Sequence, residues 1–196
     1  MINKTINILY ILGFIIICIA RYVQSRANKM NQLVVFKSSL LDRLLLSLNS
    51  FGYIIFPILV MITNYLNFAN YRLWIGFKFI GLILYLTAIY IIIKAQIQLN
   101  HSWSPWLELY KGHKLVGHGL FKYIRHPIYA AHFLWAFALP LIFHNWIAGF
   151  ALFVTFLPFY LYRVRREEKM LLEYFPNEYR LYMQRTNRIF PSWWHF

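Results

Sequence analysis

The sequence predicts an all-α integral membrane protein of about five transmembrane helices, with a helical hairpin towards its C-terminal end. Two observations lead to this fold class. Of the 196 residues, 60% are hydrophobic and 13% are charged, whereas soluble domains carry about 25% charged residues. The chain therefore has too little polar surface to cover a water-soluble globule. Its apolar residues are also gathered in long stretches rather than scattered.

Five apolar stretches predict the helices, because about 20 apolar residues, with a range of about 17–25, cross the hydrocarbon core of a membrane. They cover residues 6–20, 44–66, 73–93, 129–143 and 146–162. The last two are short and separated by His144 and Asn145, which predicts the hairpin. The first stretch could also be a signal peptide. However, no small-residue cleavage site follows it, and Arg21 and Arg26 lie directly downstream, so we favour a retained helix.

The basic residues alternate along the chain in a way that predicts its orientation. Of the 20 Lys and Arg residues, all except Lys4, Arg72 and Lys78 lie in the segments after the first, third and fifth stretches. Because loops rich in Lys and Arg stay in the cytoplasm, we expect the N-terminus outside and the C-terminus inside. The same Lys and Arg residues account for the formal net charge of +14. These side chains would meet anionic membrane lipids, and we do not interpret them as a nucleic-acid-binding surface.

The cysteine and histidine residues argue against several kinds of site. Cys18 is the only cysteine in the sequence, which excludes an internal disulfide and a thiolate metal cluster. Because Cys18 lies in an apolar stretch, we expect a buried and unreactive thiol. The histidines lack the close pairs of a membrane di-iron oxygenase, and no HExxH, phosphate loop or Ser-His-Asp arrangement occurs. The sequence therefore predicts no metal site.

Two polar clusters flank the predicted hairpin on its cytoplasmic side. Arg125 and His126 precede Pro127 at the start of a helix, where free backbone N–H groups favour an anion. The same residues are also compatible with a basic interfacial anchor. Arg163 and Glu167 stand four residues apart and so share a helix face. They could form an ordinary surface ion pair, or they could face the bundle interior, where ionisable groups mark functional sites.

Five motifs follow one another in order in the second half of the chain. They are His113-Lys114-Leu115-Val116, Gly119-Leu120-Phe121, Arg125-His126-Pro127, Arg163-x-x-x-Glu167-Glu168 and Phe175-Pro176-Asn177-Glu178-Tyr179-x-x-Tyr182. Their order and spacing over about residues 108–191 resemble those of the isoprenylcysteine carboxyl methyltransferase family. The five-helix layout is similar to that of the short prokaryotic members.

This resemblance implies a membrane enzyme that uses S-adenosylmethionine to methylate the carboxylate of a prenylated cysteine, or of a similar lipophilic acceptor that reaches the site from the bilayer. It implies one domain of residues 1–196. Residues 1–95 would supply three transmembrane helices, and residues 96–196 would form the cofactor-binding and catalytic half, with the active site on the cytoplasmic side.

The resemblance also assigns residues to the site. Arg163 would meet the acceptor carboxylate. The residues implied to bind the cofactor are Glu108, His113, Lys114, Leu115, Val116, Phe121, Arg125, His126, Pro127, Ile128 and Glu167. Two positions depart from the family pattern. Phe121 stands where the family usually has tyrosine, and Ile128 stands where eukaryotic members tend to carry serine.

The same residues leave three other functions open. The nearest is a phospholipid or small-thiol methyltransferase. More distant are an NADPH-dependent sterol-type reductase and a non-enzymatic membrane adaptor whose arginines only anchor the bundle. Binding of S-adenosylhomocysteine compared with NADPH distinguishes these classes.

Overall fold

The computed structural model describes residues 2–28 and 32–191 and confirms a helical membrane protein. A π-helical turn, Phe51–Ile55, joins its second and third α-helices. In chain order the main elements are α1 (Ile2–Asn28), β1 (Leu33–Phe36), α2 (Leu40–Ser50), α3 (Phe56–Ile62), α4 (Gly76–Leu99), β2 (Glu108–Tyr110), α5 (Pro127–Phe143), α6 (Trp146–Tyr174) and α7 (Pro176–Arg185).

Within the described residues, four helical segments are long and apolar enough to cross a membrane. They are Ile2–Arg26, Leu40–Ile62, Gly76–Ser102 and Trp146–Tyr174. The fifth helix, α5, has 17 residues, which corresponds to about 25 Å at 1.5 Å per residue. This is shorter than the hydrocarbon core of about 30 Å. The prediction of about five transmembrane helices thus corresponds to four full-length spans and one shorter helix.

The predicted hairpin between α5 and α6 is present, and two residues make its turn. His144 adopts the left-handed conformation, with φ of 51°, and ends α5. The Asn145 side chain then caps α6 by accepting hydrogen bonds from the backbone N–H groups of Ile147 and Ala148. The same side chain donates to the carbonyl of Leu66 at 2.7 Å. The turn is therefore held against the connection between α3 and α4.

The core of the bundle is centred on α4, which packs against both α1 and α5. Tyr10 of α1 stacks on Tyr85 of α4 with ring centroids 4.8 Å apart. Tyr85 in turn contacts Trp135 of α5 at 5.0 Å. All three rings are buried. This aromatic cluster fixes the N-terminal helix to the half of the chain that carries the motifs.

Close packing of the second span on α6 depends on Gly52 in the π-helical turn. A Cβ atom at Gly52 would lie 2.4 Å from Cα of Leu152, so a larger residue would force the two helices apart.

The start of this span is also fixed. Asp42 forms a capping box with Ser39, and its buried carboxylate accepts a hydrogen bond from Arg166 of α6. The second span therefore lies beside the part of α6 that carries Arg163 and Glu167.

A small antiparallel sheet departs from the all-α prediction. Strands β1 and β2 pair Leu33 with Tyr110, Val35 with Leu109 and Phe36 with Glu108. The strands have four and three residues, and they pair across more than 70 positions of sequence. No local pattern marks such short strands, because their hydrogen bonds depend on tertiary contact. The sheet ties the segment after α1 to the segment that carries Glu108.

Cys18 corrects a second expectation, because it is exposed on the outside of α1 and not buried in the bundle. An apolar position in a membrane helix can face lipid as readily as protein, since lipid tails are as apolar as a leucine side chain.

Candidate active site

Every residue that the resemblance assigns to the site lies on the wall of one cavity. This cavity opens at the end of the bundle where α4 and α6 end and α5 begins, and it encloses about 1270 Å³ including its solvent-open part. The wall residues are Glu108, His113, Lys114, Leu115, Val116, Phe121, Arg125, His126, Pro127, Ile128, Arg163 and Glu167. The motifs are therefore brought together by the fold.

Arg163 is a buried cation with unused hydrogen-bonding capacity. Its side chain projects from α6, and the residue is 4% exposed. Nη2 donates to the carbonyl of Pro105 at 2.7 Å, and the guanidinium lies 5.6 Å from the centre of the Phe159 ring. Nη1 has no hydrogen-bond partner among the described residues, although it is shielded from solvent. A buried donor of this kind is costly unless a ligand satisfies it.

Glu167 lies one helical turn after Arg163, but the two side chains form no ion pair in the described structure. Instead, the Glu167 carboxylate accepts a hydrogen bond from the Tyr129 hydroxyl of α5 at 2.6 Å. Tyr129 packs edge-on against Phe159 and Tyr160, with centroid distances of 6.4 and 5.6 Å. Glu167 is therefore held in place by a neutral donor, and its negative charge remains available to a cationic ligand.

Glu168, by contrast, is the centre of a closed network, here called the Glu168 cluster (Arg125, His126, Glu168 and Arg188). Its carboxylate is 4% exposed and accepts from Arg125 Nε at 3.2 Å, from Arg188 Nη2 at 2.6 Å and from His126 Nε2 at 3.3 Å. The backbone N–H of His126 also donates to the Arg188 carbonyl at 2.9 Å. The cluster thus joins α6, the start of α5 and the segment after α7.

This cluster changes the interpretation of two predicted site residues. Arg125 lines the cavity, but its guanidinium is engaged by Glu168 and by the carbonyls of Met183 and Thr186. His126 is likewise engaged by Glu168. Both residues lie where a ligand could contact them, and both also build the wall. Arg188 was not anticipated from the sequence, because nothing in its local pattern indicates that it meets Glu168.

The segment of residues 111–122 forms the outer wall. Gly119 has φ of +62°, a backbone conformation that favours glycine, and the Gln98 side chain packs directly against it. Gln98 Oε1 accepts from the backbone N–H of Leu120 at 3.0 Å, which attaches this segment to the end of α4. On the other side, the Tyr182 hydroxyl of α7 donates to the carbonyl of Phe121 at 2.6 Å. The apolar side chains of this segment are therefore fixed towards the cavity.

His113 in this segment is largely shielded from water. Burial lowers the pKa of its imidazole to about 4, against an opposing effect of the Glu167 carboxylate. His113 is therefore neutral near pH 7. Its Nδ1 has no hydrogen-bond partner among the described residues, so it can accept from or donate to a ligand according to its tautomer.

Glu108 and the two residues at the start of α5 complete the predicted set. The Glu108 carboxylate accepts from the Ser104 hydroxyl at 2.7 Å and the Tyr110 hydroxyl at 2.6 Å. Burial, followed by this contact with Glu108, raises the pKa of Tyr110 to about 12. Pro127 occupies the first turn of α5, and Ile128 presents an apolar side chain to the cavity where serine would offer a hydroxyl.

The first half of the chain also contributes to the wall, which the motifs did not predict. Arg21 of α1, Asn49 of α2 and Tyr53 of the π-helical turn line the same cavity, together with His132 of α5. Only their positions in the folded bundle reveal them. No group of three or more His, Cys, Asp or Glu side chains that could hold a metal ion occurs in the part of the chain that the structure describes.

Comparison with known sequences matches residues 80–173 to the family model of the isoprenylcysteine carboxyl methyltransferase (ICMT) family. The chain is 28% identical over 94 residues to a protein-S-isoprenylcysteine O-methyltransferase of Schizosaccharomyces pombe, covering 47% of this chain and 40% of that protein. It is 25% identical over 138 residues to a probable protein-S-isoprenylcysteine O-methyltransferase of Oryza sativa subsp. indica, covering 69% and 72%. The match thus spans less than half of the yeast protein and most of the rice protein.

The fold is also similar to a solved structure, that of the eukaryotic intramembrane Ras methyltransferase ICMT. The TM-score is 0.56 at 23% sequence identity, over 80% of this chain and 54% of that chain. The helical architecture is therefore shared well beyond residues 80–173. By the family match, the named relatives and this common fold, the chain is similar to members of the isoprenylcysteine carboxyl methyltransferase family.

Proposed function

We propose that this chain is a membrane methyltransferase that transfers a methyl group from S-adenosylmethionine to the carboxylate of a prenylated cysteine or a similar lipophilic acceptor. The observation that carries this proposal is Arg163. A buried guanidinium with an unpartnered Nη1 lines a cavity that the other motif residues also line. A carboxylate is the ligand that such a donor fits best, because charge-assisted hydrogen bonds to it are strong and directional.

The wall also fits the proposed cofactor. S-adenosylmethionine supplies a methyl group on a positively charged sulfur and carries an ammonium group. The Glu167 carboxylate, which Tyr129 orients without neutralising, would hold that cation. Neutral His113 and the apolar side chains of Leu115, Val116, Phe121, Pro127 and Ile128 would surround the remainder. Glu108, Lys114, Arg125 and His126 would complete the wall.

Little acid–base chemistry is required of the protein. A carboxylate of ordinary pKa is ionised at pH 7, so its oxygen can attack the methyl group without a general base. The residues need to align the two reactants and exclude water. Arg163 is suited to alignment, because the Pro105 carbonyl and the Phe159 ring fix the guanidinium. The contribution of the chain is therefore positioning.

The acceptor would arrive from the bilayer along an apolar groove between α1 and the second span. Tyr10, Phe14, Cys18 and Tyr22 of α1 line one side of this groove, and Ile54 and Ile58 line the other. Tyr22 and Ile54 directly follow Arg21 and Tyr53, which line the cavity. An isoprenoid chain suits the groove because its lining offers almost no polar group. The acceptor's polar end would then lie in the cavity.

The cavity would face the cytoplasm, with the N-terminus on the outer side, as the distribution of basic residues predicts. We expect a cysteine introduced by Phe68→Cys to react with an impermeant maleimide in intact cells. One introduced by Gln184→Cys should react only after permeabilisation, with Cys18→Ser as the common background. Equal labelling of both positions in sealed cells would contradict this orientation.

Arg163→Lys tests the proposed reaction. Lysine keeps the charge but loses the planar fork that fixes a carboxylate, and a displacement of about 1 Å can lower turnover roughly 100-fold. We therefore expect affinity for S-adenosylhomocysteine within about twofold of wild type and methyl transfer to N-acetyl-S-farnesylcysteine lowered roughly 100-fold. Near-normal turnover would remove Arg163 from acceptor binding. Binding of NADPH but not of S-adenosylhomocysteine by the wild type would replace this function with a reductase.

A further inference from the structure

A chain of three polar side chains crosses the bundle beside the proposed acceptor site. Arg21 Nη2 of α1 lies 2.9 Å from His132 Nε2 of α5, and His132 Nδ1 lies 2.9 Å from the Tyr53 hydroxyl. All three residues line the cavity, and each comes from a different helix or turn. Polar and ionised groups inside the helical bundle of a membrane protein are costly and are typical of functional positions.

The direction of these hydrogen bonds follows from the chemistry of the groups. A guanidinium has N–H donors and no acceptor, so His132 Nε2 must accept from Arg21. The proton of the neutral imidazole then lies on Nδ1, which donates to the Tyr53 oxygen. Tyr53 keeps its own hydroxyl proton, for which the described residues supply no acceptor. His132 thus holds both Arg21 and Tyr53, and the Tyr53 hydroxyl remains a free donor on the cavity wall.

Arg21 has unused capacity as well. Its Nε is shielded from solvent and has no partner in the described chain, and no described carboxylate lies within ion-pair distance of it. This distinguishes it from Arg125 and Arg166, which are paired with Glu168 and Asp42. An arginine that lacks a protein counter-charge and faces a cavity is suited to an anionic ligand.

We propose that Arg21 is a second cationic contact for the anionic head of the acceptor, with Tyr53 as an adjacent hydrogen-bond donor positioned by His132. This rests on the proposed function, and it assigns a substrate-binding role to the motif-free first helix. Arg163 and Arg21 would hold the carboxylate from α6 and α1. Because the helix that carries Arg21 also forms the apolar groove, one helix would bind both the head and the chain of the acceptor.

Two cations at this site would also distinguish substrate from product. The acceptor acid is anionic, whereas its methyl ester is neutral and keeps only the neutral hydrogen bonds. The ester should therefore bind more weakly than the acid, which favours product release. The same reasoning predicts that a neutral carboxamide analogue of the acceptor binds weakly to the wild type.

The test compares two ligands across matched variants. Affinities for N-acetyl-S-farnesylcysteine and its carboxamide are measured in the presence of S-adenosylhomocysteine, for the wild type, Arg21→Gln, Arg21→Lys, Tyr53→Phe and Arg26→Gln. Glutamine is polar but carries no charge, so Arg21→Gln should lower the acid-to-amide preference roughly 10- to 100-fold. Arg21→Lys should retain most of the preference. Arg26 is exposed on the same helix and contacts Tyr22, so Arg26→Gln should leave the acid-to-amide preference unchanged.

An unchanged preference in Arg21→Gln, or an equal loss of affinity for both ligands, would overturn the proposal, because either result indicates a structural role. If Arg21→Gln does not fold, Tyr53→Phe decides. It keeps the ring contacts and removes one donor, so the preference should fall severalfold, and no change would contradict the proposal. Wild-type methyl transfer to N-acetyl-S-farnesylcysteine tests the proposed function separately. If the wild type methylates this acceptor normally and the variants keep the acid-to-amide preference of the wild type, only the proposed role of Arg21 is refuted and the proposed function stands.

Discussion

Glu167 and Glu168 are neighbours in sequence, yet they belong to two regions that are built differently. Glu168 is buried and receives hydrogen bonds from two arginines and a histidine. Glu167 receives one hydrogen bond from a neutral hydroxyl and faces the cavity. In the first region every charge has a partner. In the second, Arg21 and Arg163 keep donors without one among the described residues.

The difference teaches which ionised groups hold the fold and which remain available for binding. A buried charge without a partner is destabilising, so the closed Glu168 cluster can maintain the wall whether or not a ligand is present. The open groups on α1 and α6 carry a cost that a ligand would relieve. Loss of a group from the closed region should therefore affect stability, and loss of a group from the open region should affect binding.

The largest effect is expected for Glu168→Gln. Removing the carboxylate leaves Arg125 buried without its counter-charge, and breaking such a pair costs about 3–5 kcal/mol. We expect a marked fall in the free energy of unfolding, measured by thermal denaturation in detergent, together with loss of cofactor binding. Glu178→Gln, at an exposed position of α7, is the matched control and should change neither. A variant with normal stability that has lost only binding would place Glu168 in the open region.

A smaller and more selective effect is expected for Glu167→Gln. The amide oxygen can still accept from Tyr129, so the change removes charge and leaves the local contact. Hydrogen bonds to charged groups contribute about 1.5–3 kcal/mol, compared with about 1 kcal/mol for neutral ones. We expect affinity for S-adenosylhomocysteine, measured by calorimetry, to fall roughly 10-fold with little change in the melting temperature. Equal affinity in Glu167→Gln and the Glu178→Gln control would remove Glu167 from the cofactor site.

The smallest effect is expected in the apolar groove, which extends the comparison to the lipid-facing surface. Cys18→Trp would fill the groove, whereas Ile16→Trp adds the same side chain at an exposed position of α1 outside it. We expect Cys18→Trp to raise KM for a farnesylated acceptor severalfold, with kcat and cofactor affinity nearly unchanged, because the groove would hold only the chain of the acceptor. If Ile16→Trp raised KM by the same factor, the groove would have no special role.

The motifs of the second half predicted much of the site because they are local and ordered along the chain. His113, Arg125, Arg163 and Glu167 were assigned by resemblance, and the fold brings them to one cavity. Their roles there remain predictions. The distinction between Glu167 and Glu168 was not predictable, since both follow Arg163 on one helix. Which of them is buried depends on Arg188, twenty residues later.

By itself the sequence determined the membrane-embedded helical fold, the hairpin at His144 and Asn145, and the segments that carry the motifs. These features depend on apolar length, turn residues and local spacing, which are properties of contiguous residues. Tertiary structure alone decided the pairing of β1 with β2, the outward position of Cys18 and the contribution of Arg21 and Tyr53 to the cavity. Each of these depends on which parts of the chain face one another. The two strands are distant in sequence, and a membrane helix has several apolar faces of which only packing selects the buried one.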